Sequence, residues 1–303
     1  MKIAKRVLVF ASVNILIVVT LSVLMAVLGV SPKLGGRELD LTQLALFCLI
    51  WGFGASFISL ALSRVMAKWM MGVKIISPAS ASHSEREILE TVYEYSRGAG
   101  LGTMPEVGIY ESPEVNAFAT GPTRNRALVA VSTGLLQTMN REAVRGVIAH
   151  EVAHVANGDM VTMTLAQGVV NAFVMFFARI AAWFAGQFVD EEKRPMVQFG
   201  VTLALELALG VLGMMVVARV SRSREFRADA GGAKLAGSDR MIAALRSLQQ
   251  IQRAGHPELI DDGRAPALAS LKISGKAGGF AKLFSTHPDL QDRIHALERS
   301  TGF

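Results

Sequence analysis

The sequence predicts an α+β fold, mostly helical, in which four transmembrane helices accompany a water-exposed domain with a small β-sheet. Three observations carry that expectation. Hydrophobic residues make up 51% of the 303 residues and charged ones only 18%, below the roughly 25% of ordinary soluble domains. Mean hydropathy is +0.38. The apolar residues are gathered into four runs, 7–30, 41–63, 160–178 and 196–218, and about 20 apolar residues cross a bilayer as a helix. The stretches between and after the runs carry helix and strand periodicities with polar faces.

Residues 1–63 read as an N-terminal transmembrane hairpin. Its first span follows Lys2, Lys5 and Arg6. It is longer than the roughly 7–15 apolar residues of a signal peptide and lacks a clean small-x-small cleavage site, so it reads as an uncleaved anchor. The single cysteine, Cys48, lies within the second span. That excludes an intramolecular disulfide and a thiolate metal cluster, and Cys48 reads as a small buried apolar residue.

Residues 64–159 form the first part of the water-exposed domain. The segment 84–98 has Ile88, Leu89, Val92 and Tyr95 at helical spacing, and Gly98, Gly100 and Gly102 then break the helix. Segments 106–110, 115–120 and 127–132 read as strands, the last two separated by the turn-rich 121–125. Asn140 suits the N-cap of a helix over 141–156, and Asn157-Gly158 suits its stop. Residues 160–218 are a second transmembrane hairpin, and 219–303 complete the water-exposed domain. There, 239–254 is expected to be an amphipathic helix, 255–279 a Gly-, Pro- and Ala-rich loop, and 288–299 a terminal helix.

Charge sets the expected orientation. Arg64, Lys68 and Lys74 follow the second run with no acid before Glu85, and Arg219, Arg222 and Arg224 follow the fourth. The short loops 31–40 and 189–195 carry mixed charge. The positive-inside rule then puts both termini and the water-exposed domain in the cytoplasm. The net charge of +6 fits such loops. No basic stripe with interleaved aromatics marks a nucleic-acid partner.

Chemistry concentrates in His150-Glu151-Val152-Ala153-His154, at the end of an expected helix and just before the third run. Two imidazoles at i,i+4 share one helical face and can reach one tetrahedral ion. Glu151, next to the first imidazole, can take a proton from an attacking water without binding the metal. Such a site needs a third ligand, and Glu225-x-x-x-Asp229, soon after the fourth run, supplies one. Asp229, on the same face as Glu225, can orient a ligand imidazole from behind. The competing reading of Glu225 and Asp229 is a charged surface face among Arg222, Arg224 and Arg227.

With these residues in view, the chain resembles the HtpX family of membrane zinc metalloproteases over essentially its whole length. The resemblance rests on Asn116-Ala117-Phe118-Ala119-Thr120-Gly121, the run 150–160, the run 225–229, and Ser285-Thr286-His287-Pro288 with Arg293. It implies a zincin-like, gluzincin-type catalytic domain distantly related to the CAAX prenyl proteases. It implies one zinc ion per chain, held by His150, His154 and Glu225, with Glu151 as general base. It also implies cleavage of misfolded or damaged membrane proteins and unfolded polypeptides at the cytoplasmic face of the bacterial inner membrane. By the same resemblance, His287 and Arg293 enter the site and stabilise the oxyanion. The alternative is a His-Pro helix start whose Arg293 pairs with Asp289 or Asp292. Asn116 is expected either on an edge strand that pairs with extended substrate or as a plain turn residue. His83, His256 and His295 have no partner pattern and read as surface residues.

Glu206, in the middle of the fourth run, is costly in lipid. It belongs either to a substrate path or, the favoured reading, to a pairing with Asn171, Gln167 or Arg179. Two other functions compete. A zinc-stabilised membrane sensor or scaffold is disfavoured because structural zinc takes four protein ligands, and the pattern supplies only His150, His154 and Glu225. A transporter is disfavoured because no repeated halves or paired broken helices are seen. Oligomeric state, cleavage preference and regulation are not written in the sequence.

Overall fold

The structure, a computed structural model, describes residues 2–30, 39–254 and 286–300, with side chains from residue 11 onward. Most of the loop 31–40, the loop 255–279, His256 and Ser285 lie outside the described residues.

The chain opens with α1 (Lys2–Val27) and α2 (Leu41–Met71), followed by a short strand β1 (Lys74–Ile75). Then come α3 (His83–Gly98), β2 (Glu106–Tyr110), β3 (Ala117–Thr120), a single 3₁₀ turn at Arg124–Arg126, and β4 (Leu128–Ser132). Helices α4 (Thr133–Thr138), α5 (Arg141–Asn157), α6 (Asp159–Gly186), α7 (Arg194–Ala236), α8 (Ser238–Ala254) and α9 (Leu290–Ser300) complete it. The chain divides into two compact units. One takes Met1–Leu60 with Met163–Val217, the other Ala61–Thr162 with Ala218–Phe303.

In the first unit the helices are apolar on nearly all sides. Helices α2, α6 and α7 are long and apolar enough to cross a membrane, and the described part of α1, Ala11–Val27, is a shorter apolar helix. Phe173, Phe199 and Leu207 point outward, 58%, 72% and 65% exposed, which suits lipid rather than water as their surroundings. Small residues let the helices approach. A Cβ on Gly52 of α2 would sit 2.7 Å from the backbone nitrogen of Ala172 on α6. Glu206 pairs with Arg179, Oε1 to Nη1 at 2.6 Å, whereas Gln167 and Asn171 bond each other. Of the three partners expected for Glu206, Arg179 is the one it takes.

In the second unit a four-stranded sheet runs β1-β2-β4-β3. β2 and β4 are parallel, with Glu106 opposite Leu128; the outer strands are antiparallel, with Ala117 of β3 opposite Val131 of β4. Alternation along the strands gives the sheet two apolar faces. Val107, Val129 and Val131 join Ile88 and Val92 of α3 and Val147, Ile148 and Val152 of α5 in the larger core. Leu128, Ala130, Tyr110 and Phe118 pack with Ala67 and Met71 at the end of α2. Arg64 and Lys68 of α2 both reach Glu106, at 2.5 and 2.7 Å.

The expected elements 84–98, 106–110, 141–156 and 239–254 coincide with α3, β2, α5 and α8 to within two residues at each end. Strand β3 starts at Ala117 rather than at residue 115, because the Asn116 backbone instead exchanges bonds with Ser132, accepting at its carbonyl from Ser132 N and donating to Ser132 Oγ. Helix α7 is continuous over 43 residues. The hydropathy of the fourth run ends at residue 218, but Arg, Ala and Glu are good helix formers and carry the helix on.

Candidate metal centre

Helix α5 is the foundation of the site. Asn140 caps it, its Oδ1 accepting from Ala143 N at 2.9 Å. Its second half, where Val147, Ile148, Val152 and Val155 flank His150, Glu151 and His154, is buried between the sheet, α3 and α8. It stops at Gly158, whose φ of 70° is a left-handed conformation glycine adopts without strain. That turn lets α6 begin at once, with Asp159 in its first turn.

His150, Glu151 and His154 are 4%, 5% and 8% exposed. The one-turn spacing brings the imidazoles edge to face, with Nε2 to Nε2 at 3.0 Å. Helix α7 supplies Glu225, 0% exposed, 3.4 Å from each of those nitrogens. Close approach of α7 needs Gly232, where a Cβ would come within 2.7 Å of Met241 Sδ and 3.1 Å of His150 N.

Carboxylates hold both rings from behind. Asp229 Oδ1 lies 2.9 Å from His150 Nδ1, and Asp159 Oδ2 lies 2.6 Å from His154 Nδ1. With both rings neutral, as metal binding requires, each Nδ1 carries the proton, and each Nε2 turns its lone pair toward the other and toward Glu225. Two lone pairs at this separation repel, and Glu225 Oε1 is buried with no hydrogen-bond partner among the described residues. A cation relieves both. Tetrahedral zinc with bonds of 2.0–2.1 Å sets its ligand atoms roughly 3.3–3.5 Å apart. The observed 3.0 and 3.4 Å separations fit such an ion with little movement. His150, His154 and Glu225 form the one group of at least three such donors that meets within 4.8 Å among the described residues.

The other expected residues take these places. The Glu151 side chain makes no hydrogen bond to the described residues. Its pKa is raised, chiefly by burial and further by Glu225, against the lowering effect of the imidazoles. Arg293 of α9 is 1% exposed and pairs with Asp229 through Nε at 2.8 Å and Nη2 at 2.6 Å. It bonds neither Asp289 nor Asp292 by side chain; its backbone N–H donates to the Asp289 carbonyl. Its Nη1 faces Glu225 at 3.6 Å. Burial opposes the charges of Asp229 and Glu225, yet the Arg293 guanidinium and the His150 imidazole hold Asp229, and the imidazoles of His287, His150 and His154 hold Glu225, well below the usual range. His287 Nδ1 lies 2.9 Å from Glu225 Oε2. Asn116 is buried just before β3, which is an edge strand, and its side-chain Oδ1 has no hydrogen-bond partner among the described residues. His83 and His295 are exposed.

Asp159 escaped the sequence reading. It is 0% exposed, and its second oxygen meets Arg227 Nη2 at 3.4 Å. The available signal was an acidic residue at a helix start directly after Asn157-Gly158, one turn past His154.

Comparison with known proteins agrees with this geometry. Residues 82–301 match the model of peptidase family M48. A protein named Protease HtpX homolog from Bacillus pumilus is 53% identical, covering 97% of this chain and 99% of that one. The protein of the same name from Bacillus subtilis is 51% identical with the same coverage. Among solved structures, the crystal structure of S. mikatae Ste24p is similar in fold, with a TM-score of 0.62 and 16% identity. That match covers 97% of this chain and 64% of the other. The chain belongs to peptidase family M48, and it is a metalloprotease carried on membrane-spanning helices.

Proposed function

We propose that this protein is a zinc endopeptidase that cleaves misfolded or damaged membrane proteins at the cytoplasmic face of the bacterial inner membrane, with both termini in the cytoplasm. The observation that carries the chemistry is the convergence of His150 Nε2, His154 Nε2 and Glu225 on one point, with both imidazoles backed by carboxylates. One zinc ion per chain suits this nitrogen- and oxygen-donor set. When bound, zinc polarises the scissile carbonyl and makes water acidic enough to attack at neutral pH.

The chain's own residues do the rest. Asp229 and Asp159 fix the tautomer and orientation of the two imidazoles. Arg293 spends two of its nitrogens on Asp229, so its first role is to position that carboxylate. Glu151, whose buried carboxyl has its pKa raised chiefly by burial, accepts the proton of the attacking water, then returns it to the leaving amine. His287, beside Glu225, donates to the developing oxyanion through its other ring nitrogen. Edge strand β3, with Asn116 at its start, offers backbone groups to an extended substrate.

The test is metal depletion of the purified protein followed by zinc titration, read by cleavage of an unfolded polypeptide. Activity should vanish on depletion and return with a break at one zinc per chain. Persisting activity without metal, or zinc uptake with no cleavage, would overturn the proposal.

A further inference from the structure

The apolar unit contains a cleft that the metal centre does not use. Its volume is about 570 Å³, and it lies between α2, α6 and α7. Its walls are Val170, Val174, Leu207, Val211 and Met214, with Gly52, Ala55 and Gly210 as small residues. The lining residues come from positions 51–55, 167–175 and 206–214. These are the centres of the apolar runs 41–63, 160–178 and 196–218, so the cleft lies near the middle of the membrane.

Its polar content is unusual for that depth. Gln167 Nε2 donates to Asn171 Oδ1 at 2.7 Å. That leaves the Gln167 carbonyl oxygen and the Asn171 N–H without a partner among the described residues. The Trp51 indole N–H, on the facing helix, also has no hydrogen-bond partner there. Unsatisfied groups of this kind cost free energy in hydrocarbon. The one ionic group at the cleft, Glu206, is already neutralised by Arg179, which also stacks over Phe47 at 5.2 Å. The hydrogen-bonding capacity left over is neutral: two donors and one acceptor. An acyl chain could fill the apolar walls but could not satisfy them. Small residues along two walls allow a helix backbone to come close.

We infer that this cleft recognises a transmembrane segment of the substrate carrying a neutral hydrogen-bonding side chain, such as Asn, Gln, Ser or Thr, near the bilayer centre. This rests on the reading of misfolded or damaged membrane proteins as substrates and gives it a physical criterion. In a correctly assembled complex such a side chain is paired with a neighbouring helix; in an orphan subunit it faces lipid. The cleft offers the missing partner and so selects the orphan.

The experiment uses full-length protein in liposomes with two single-span substrates. They differ only in Leu or Asn at the centre of the span and share one cytoplasmic cleavage site. Wild type should cleave the Asn substrate with a KM about 3- to 20-fold lower, the range of intramembrane hydrogen bonds. Combined Gln167→Leu and Asn171→Leu should abolish that difference. So should Gly210→Leu, which fills the cleft from α7 at a position where an added Cβ meets nothing within 4 Å. Zinc content verifies that each variant is folded, and comparing two substrates on one variant cancels general losses of activity. Equal KM values for wild type, or a difference that survives in both variants, would overturn the inference. Wild type that cleaves an unfolded soluble chain but neither membrane substrate would overturn the membrane-substrate reading instead.

Discussion

Replacing Asp159 with Asn isolates the contribution of one charge to the metal centre. Asp159 is fully buried, and its Oδ2 lies 2.6 Å from His154 Nδ1, the short contact of a charge-assisted bond. It sits in the first turn of α6, where the helix dipole favours an anion. Asn keeps the shape and an acceptor oxygen but removes the charge that makes the imidazole a stronger donor to metal. Loss of such a partner weakens metal binding by about 10- to 100-fold, or about 1.4–2.7 kcal/mol. The other neighbour, Arg227, is 60% exposed and 3.4 Å away, so Arg227→Ala should cost less than about 1 kcal/mol. Competition with a chromophoric chelator in detergent measures both affinities, and circular dichroism checks the fold. Zinc affinity of Asp159→Asn within twofold of wild type would refute the reasoning. So would an Arg227→Ala defect as large as that of Asp159→Asn.

Other consequences can be measured in the same preparations. Glu225→Ala should lose zinc and cleavage together, whereas Asp229→Ala should keep the ligands and lose about 10- to 100-fold in zinc affinity; full zinc occupancy in Glu225→Ala would move the third ligand elsewhere. In the metal-free protein His150 should hold its proton up to about pH 9. Burial works against that charge, but hydrogen bonds to Asp229 and Glu225 outweigh it. Zinc needs the neutral ring, so its apparent affinity should rise about tenfold per pH unit below that value and level off above it. A flat profile in chelator titrations from about pH 6 to 8 would contradict this. Reporters active only in the cytoplasm should give signal when fused at residues 100, 240 and 303 and none within 31–40 or 189–195. A silent fusion at 303 would mean that one of the last two runs does not span.

What the sequence revealed and what it hid follow from the range of the interactions. His150 with His154, and Glu225 with Asp229, are i,i+4 pairs whose shared faces come from helix geometry alone. The cores of α3 and α8 were legible for the same reason, because amphipathic periodicity survives in one dimension. Asp159 was hidden because its contact with His154 needs the chain to reverse at Gly158. Arg293 was half legible. Its entry into the site came from resemblance, but its partner Asp229 is 64 positions away, and local spacing offered Asp289 and Asp292 instead. Strand β1 spans two residues and has no period to detect. Helix α4, six residues directly after β4, was missed because fewer than two turns give no helical period to detect. The meeting of Gln167, Asn171 and Trp51 at one cleft could not be seen in separate apolar runs that each read as ordinary spans.

The central claim is that Glu151 moves the proton while His150, His154 and Glu225 hold the metal. Glu151→Gln tests it most directly, with zinc per chain and peptide-bond cleavage measured on the same sample. Gln preserves the volume beside the ligands but cannot accept the proton. The account predicts near-normal zinc content with cleavage reduced by about 100-fold or more. Cleavage at a rate comparable to wild type, or loss of zinc in step with loss of cleavage, would contradict it.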